Sequence, residues 1–280
     1  MTMREGAVRC LDPHGFHWMR YSEWGDRANP RVLVCVHGLT RNGRDFDHVA
    51  QALSDAYRVV CPDMAGRGRS DWLRDPADYN YPVYCTDLVT LLAQLGAENV
   101  DWLGTSMGGI LGMILASMPA SPVRKLVMND VGSVIPKAAI ERIGQYLGKD
   151  PPYDSIEALE QDLRRVSPFG KLTDEQWRHL AVTSAKQDDK GQWRFRYDPG
   201  IAVNFHAAPP ADLDLRAYWN AMHGPVMVIR GENSDLLTAP ILEDMRKRPR
   251  TEALVIPDTG HPPMLMDDVQ AGAVRRFLLG

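Results

Sequence analysis

The chain has 280 residues, with 32 Lys and Arg against 36 Asp and Glu, giving a net charge of −4. Hydrophobic residues make up 44% and charged residues 24%, which excludes a disordered chain, a collagen-like repeat and a small disulfide-stapled scaffold. What remains is one large domain or two small ones, and no nucleic-acid partner is expected, because binding phosphates needs a concentrated Lys/Arg surface. The densest basic cluster, Arg246 to Arg250, reads as a solvated helix end.

The longest apolar run, Gly108 to Met118, falls well short of the roughly 18 residues that a membrane span requires, so no membrane association is expected. Met1 to Cys10 carries Arg4, Glu5 and Arg9 and no apolar core, unlike a secretory signal. Cys10, Cys35, Cys61 and Cys85 show no CxxC spacing and read as reduced structural thiols, which points to a cytoplasmic protein.

In chain order, short β-branched runs recur at Val32–Val36, Tyr57–Cys61, Val100–Leu103, Val123–Met128, Val226–Ile229 and Ala253–Ile256. Runs that are continuously apolar, not alternating, predict strands buried on both faces, as in a parallel sheet. Helix-length segments lie between them: Asp45–Ala56, Val83–Leu95, Met107–Met118 and Ile241–Arg248, with a last helix closing the chain. This alternation predicts an α/β fold built from βαβ units. From about Val131 to Ala221 it breaks. Two helix-like segments, Ile156–Val166 and Asp174–Ala185, sit there among Trp and Tyr residues and the breakers Ser167-Pro168 and Pro209-Pro210. The expected organisation is a core of residues 1–131 and 222–280 with a mainly helical cap, 132–221, inserted after the sixth strand.

Gly104-Thr105-Ser106-Met107-Gly108-Gly109 follows a strand and opens a helix. A serine in a G-x-S-x-G turn of this kind sits on a sharp bend with its hydroxyl exposed, at a helix end that favours negative charge. A hydroxyl needs a base to become nucleophilic near neutral pH. His261, in Thr259-Gly260-His261-Pro262-Pro263 after the last strand, lies at the same sheet edge as Ser106. His37, at the end of a strand, reads as structural. The base needs a carboxylate to orient it. Asp235, in the loop after Val226–Ile229, is the favoured candidate; Asp130, directly after Met128, competes, or caps a turn, or assists His261 from behind. No H-E-x-x-H or comparable ligand spacing appears, so neither a metal nor any other cofactor is expected.

With these residues in view, the chain resembles the α/β-hydrolase fold superfamily, in its branch of serine esterases and lactonases with a helical cap. The order Ser106, Asp235, His261 matches that family's order of nucleophile, acid and histidine. His37-Gly38 matches its oxyanion loop and Gly66-Arg67-Gly68-Arg69-Ser70 its glycine turn, and the resemblance runs from about Trp18 to Leu279. It implies a mostly parallel eight-stranded sheet with helices on both faces. It also implies an oxyanion hole formed by the backbone N–H groups of Leu39 and Met107. The implied activity is hydrolysis of a small or medium carboxylic ester or lactone through an acyl-enzyme. Arg41 is placed to meet a substrate carboxylate or carbonyl, or to pair with Asp45. Two alternatives stand beside this reading. A C–C bond hydrolase of meta-cleavage diketones shares the Ser-Met-Gly-Gly run, but usually has Asn and Trp where this chain has Thr105 and Pro262. A non-catalytic ligand receptor can use the same fold. Monomer and homodimer are both left open.

Overall fold

A computed structural model describes residues 2–280. The chain opens with an antiparallel hairpin, β1 (Arg4–Asp12) and β2 (Gly15–Trp24), followed by β3 (Val32–Val36), α1 (Asp47–Leu53), β4 (Arg58–Pro62), α2 (Tyr81–Leu95), β5 (Val100–Thr105), α3 (Met107–Ala116) and β6 (Val123–Asn129). A long insertion holds β7 (Val134–Ile135), α4 (Lys137–Gly144), α5 (Ile156–Val166), α6 (Asp174–Ser184), β8 (Ala185–Gln187), β9 (Trp193–Phe195), α7 (Ala202–Phe205), β10 (Leu213–Asp214) and α8 (Arg216–Ala221). The core resumes with β11 (Val226–Gly231), α9 (Ala239–Met245), β12 (Thr251–Ile256) and α10 (Asp268–Leu279).

The main sheet has eight strands in the order β1-β2-β4-β3-β5-β6-β11-β12, parallel from β4 to β12. Its unbroken apolar strands follow from burial on both faces. In β3, Val32, Val34 and Val36 pack into one core with α2 and α3, while Leu33 and Cys35 enter a second core with α1 and α10. β11 divides the same way, Val226 and Val228 on one side, Met227 and Ile229 on the other. Burying a side chain of this size contributes about 1.5–3 kcal/mol, so these paired rows anchor every loop at the sheet edge.

The predicted strands and long helices are present with small shifts at their ends. The additional elements are the β1–β2 hairpin, the short helices α4, α7 and α8, and two small antiparallel ribbons, β7 with β10 and β8 with β9. α6 begins with a reciprocal cap: Thr173 Oγ1 accepts from the Gln176 backbone N–H, and the Gln176 side chain accepts from the Thr173 N–H. α5 and α6 share a separate apolar cluster of Leu159, Leu163, Phe169, Trp177 and Leu180, closed from the core side by Met264 and Met266. All four cysteines are free thiols.

Under the hairpin, His17 lies between two carboxylates: Nδ1 is 2.9 Å from Asp12 Oδ2 and Nε2 is 2.9 Å from Asp87 Oδ2. Burial disfavours the charged ring, but the two carboxylates outweigh it and raise His17 above its ordinary value. Burial also raises Asp87, with His17 opposing. A folded-state value above the unfolded one stabilises the fold fully below about pH 6.5 and loses that contribution as pH climbs through the raised value. The raised Asp87 carboxyl pushes stability in the same direction, toward lower pH. The Tm difference between wild type and His17→Gln is therefore expected to be widest near about pH 6 and to shrink toward about pH 9. A difference that grows with pH in thermal unfolding would mean that the ring is neutral in this cluster.

Candidate active site

The turn from β5 to α3 places Ser106 at φ 52° and ψ −116°, a conformation that serine rarely adopts. Such strain costs on the order of 1–3 kcal/mol and persists only where the surroundings enforce it. Here they do. The Ser106 N–H donates to Asn129 O at 2.9 Å, and Trp102 Nε1–H donates to Gly108 O at 3.0 Å. The flanking glycines are required by space: a Cβ on Gly104 would lie 2.2 Å from Gly108 O, and one on Gly108 would lie 1.9 Å from Val36 O.

Ser106 Oγ is 3.1 Å from His261 Nε2, and His261 Nδ1 is 2.7 Å from Asp130 Oδ2. The two contacts share one ring, so Nδ1–H donates to the carboxylate while Nε2 accepts the serine proton. Asp130 is fully buried, with φ 58°, and its Oδ1 accepts the Gly231 N–H at 2.9 Å. Asn129 ties the two halves together, its Nδ2–H groups donating to Thr105 Oγ1 at 3.0 Å and to Pro263 O at 2.8 Å.

Asp235, expected on His261, is placed elsewhere. It pairs bidentately with Arg142 of α4, at 2.5 and 2.9 Å, and is exposed. The cause is the turn after β11. Ser234 N–H bonds back to Gly231 O at 2.9 Å, and the buried Ser234 Oγ accepts from the N–H groups of Leu236 and Leu237 at 3.2 Å. This turn points Ser234 inward and Asp235 outward. Burial resists ionisation of Asp235, but Arg142 prevails and holds its carboxyl below the usual range, with His261 a smaller influence of the same sign. The acid that touches His261 is therefore Asp130.

The Leu39 loop is braced from behind. His37 is fully buried; its Nδ1–H donates to Gly38 O at 2.7 Å, and its Nε2 accepts the Met64 N–H at 3.0 Å. Desolvation, reinforced by the nearby Arg67 and Arg41, pushes His37 down to about 3, so it stays neutral across the working range. The Arg41 N–H also donates to Gly38 O, at 3.1 Å. With the Gly38 carbonyl held on one side of the peptide, the Leu39 N–H faces the other way. The Arg41 side chain itself pairs with Asp45 at 2.8 and 2.6 Å. Gly38 backs directly onto the nucleophile turn, its missing Cβ lying 3.6 Å from Ser106 Cβ.

Elsewhere, Cys10, His17 and Asp87 bring donor atoms within 4.8 Å of one another, as do Asp12, His14 and Asp78. Both groups lie outside the Ser106–His261–Asp130 chain. No helix among the described residues is long and apolar enough to cross a membrane.

The sequence profile of the alpha/beta hydrolase family matches residues 33–274. The chain belongs to the alpha/beta hydrolase family. This hydrolase is 48% identical to a 3-hydroxybutyrate-oligomer hydrolase of Cupriavidus necator, over 99% of this chain and 98% of the relative. It is 27% identical to an esterase of Mycobacterium tuberculosis, over 80% of this chain and 73% of that one. An alpha/beta hydrolase from Novosphingobium aromaticivorans superposes with a TM-score of 0.89 at 33% identity, covering 100% of this hydrolase and 99% of its counterpart.

Proposed function

We propose that this hydrolase cleaves carboxylic esters of short hydroxyacids, linear 3-hydroxybutyrate oligomers among them, through an acyl-enzyme on Ser106. The observation that carries the reading is the continuous hydrogen-bonded chain from Ser106 Oγ through His261 to Asp130. His261 takes the serine proton as Oγ attacks the ester carbonyl, and Asp130 balances the resulting imidazolium. The N–H groups of Leu39 and Met107 receive the oxyanion. The alcohol leaves with the proton from His261, and water releases the acid by the same route. Residues 132–221 serve as a lid over this edge. Their seat on the core supports this: Gly68 N–H donates to Arg196 O at 3.0 Å, Asp198 N–H to Gly66 O at 2.7 Å, and Asn42 Nδ2–H to Thr183 O at 3.2 Å. The substrate class rests on the 48% identity to the oligomer hydrolase over nearly the whole of both chains.

Purified protein is expected to be labelled on Ser106 by a fluorophosphonate and to convert 3-hydroxybutyrate dimer and trimer to monomer. The kcat/KM for the trimer should exceed that for a plain butyrate ester by about tenfold, a difference of about 1.4 kcal/mol. Labelling without turnover of any ester, lactone or diketone would support a receptor instead. Faster cleavage of a vinylogous diketone than of the oligomers would move the reading to C–C hydrolysis.

A further inference from the structure

We propose that Arg67 is a positioning residue for the oxyanion hole, an internal cation that fixes the Leu39 loop and stands behind Met107. The inference rests on the Ser106 acyl-enzyme reading above. Arg67 is fully buried, and its hydrogen-bond contacts are all to neutral groups. Nε–H donates to Leu39 O at 2.8 Å, Nη1–H groups donate to Ala65 O and Tyr84 Oη at 2.7 Å, and Nη2 lies 3.9 Å from Met107 Sδ. The rings of Tyr84 and Tyr79 flank the guanidinium, with centroids 5.0 and 5.6 Å away. Other arginines differ: Arg41 is matched by Asp45, and Arg142 by Asp235.

A buried charge without a counter-ion is expensive to keep, and an apolar residue of similar volume generally serves packing better. The location supplies the reason for keeping it. Arg67 reaches both residues whose N–H groups form the oxyanion hole. His37 already holds the Gly38 carbonyl on one side of the Leu39 N–H, and Arg67 holds the Leu39 carbonyl on the other. Both ends of that donor are therefore fixed before substrate arrives. No carboxylate touches the guanidinium, and the buried Asp198, which accepts from the hydroxyl of the flanking Tyr79, offsets it only across that ring, so the remaining field favours negative charge building on the carbonyl oxygen in a low-dielectric site. The gain is larger for the transition state than for the bound ester, so it should appear in kcat and not in KM.

Arg67→Met, Arg67→Lys and Tyr84→Phe are to be compared with wild type in kcat, KM, Tm and affinity for an alkylboronic acid, whose tetrahedral adduct on Ser106 is anionic. Arg67→Met is expected to lose about 100-fold in kcat with KM within about threefold, and to weaken the boronate by a similar factor. Arg67→Lys keeps the charge and should recover about a tenth of wild-type kcat or more. A merely structural role predicts a lower Tm with the kcat of the folded protein and the boronate affinity unchanged, and that result overturns the proposal. If Arg67→Met does not fold, the other two variants decide: each should lose about three- to tenfold in kcat at constant KM. No loss in either overturns the proposal. A wild type that forms the boronate adduct but cleaves no ester sinks the ester reading alone, while the boronate series still judges Arg67.

Discussion

Ser106→Ala is expected to remove ester turnover while leaving the fold intact. Removing the nucleophile of a concerted serine–histidine–carboxylate unit costs on the order of 10⁴-fold or more in kcat, because the remaining members have nothing to activate. Folding should barely respond. Ser106 Oγ makes one side-chain hydrogen bond, to His261, and the turn is held by a backbone bond to Asn129 and by the close approach of Gly104 and Gly108. Alanine meets the same strain at φ 52° as serine does. Thermal unfolding should therefore place the variant within about 2 °C of wild type, equivalent to about 1 kcal/mol at this chain length. A purified variant that retains more than about a hundredth of wild-type kcat, with no fluorophosphonate-labelled contaminant, would exclude Ser106 as the nucleophile.

The parts of this molecule that could be read from sequence share one property: their pattern is enforced by packing on both sides. β3, β5 and β11 are continuous apolar runs because alternate residues enter separate cores. The Ser106 turn is legible because Gly104 and Gly108 are dictated by distances of backbone approach, and Gly109 by the Val131 side chain. The β1–β2 hairpin was hidden because both of its faces carry apolar residues. Val8, Cys10, Met19 and Tyr21 point inward, while Leu11, Phe16 and Trp18 lie exposed, and the buried face also holds His17. This erases the alternation that marks a half-buried strand. The Asp12 to Gly15 turn was the remaining signal. Asn129 left a faint trace as a polar residue ending an apolar strand, whereas Arg67 looked like an ordinary turn residue. Its burial depends on Tyr79 and Tyr84, which are remote in the pattern of the glycine turn. The choice between Asp235 and Asp130 is not legible in the sequence, because the two carboxylates follow neighbouring strands at one edge and the turn at Ser234 decides which of them lies against His261.

Asp130→Asn is accordingly expected to reduce kcat/KM by about 10⁴-fold, and Asp235→Asn by less than about tenfold. The first value follows from how an amide must sit at position 130. The Gly231 N–H points at one oxygen of the side chain, and that position must keep an acceptor. The amide oxygen therefore turns toward Gly231, and the NH₂ group faces His261 Nδ1. Two donors cannot share that contact, so the ring moves its proton to Nε2. In that tautomer it cannot accept the proton of Ser106, and the imidazolium has lost its counter-charge as well. The side chain is nearly isosteric, so Tm should change little. Asp235→Asn weakens one partly exposed ion pair with Arg142, whose contribution to stability is of the order of 0–1 kcal/mol, and leaves both hydrogen bonds of His261 in place. Steady-state kinetics and fluorophosphonate labelling rates of the two purified variants separate these outcomes. If Asp235→Asn shows the larger loss in both, the loop after β11 rearranges on substrate binding and delivers Asp235 to His261, and Asp130 is then only a cap on the Gly231 amide.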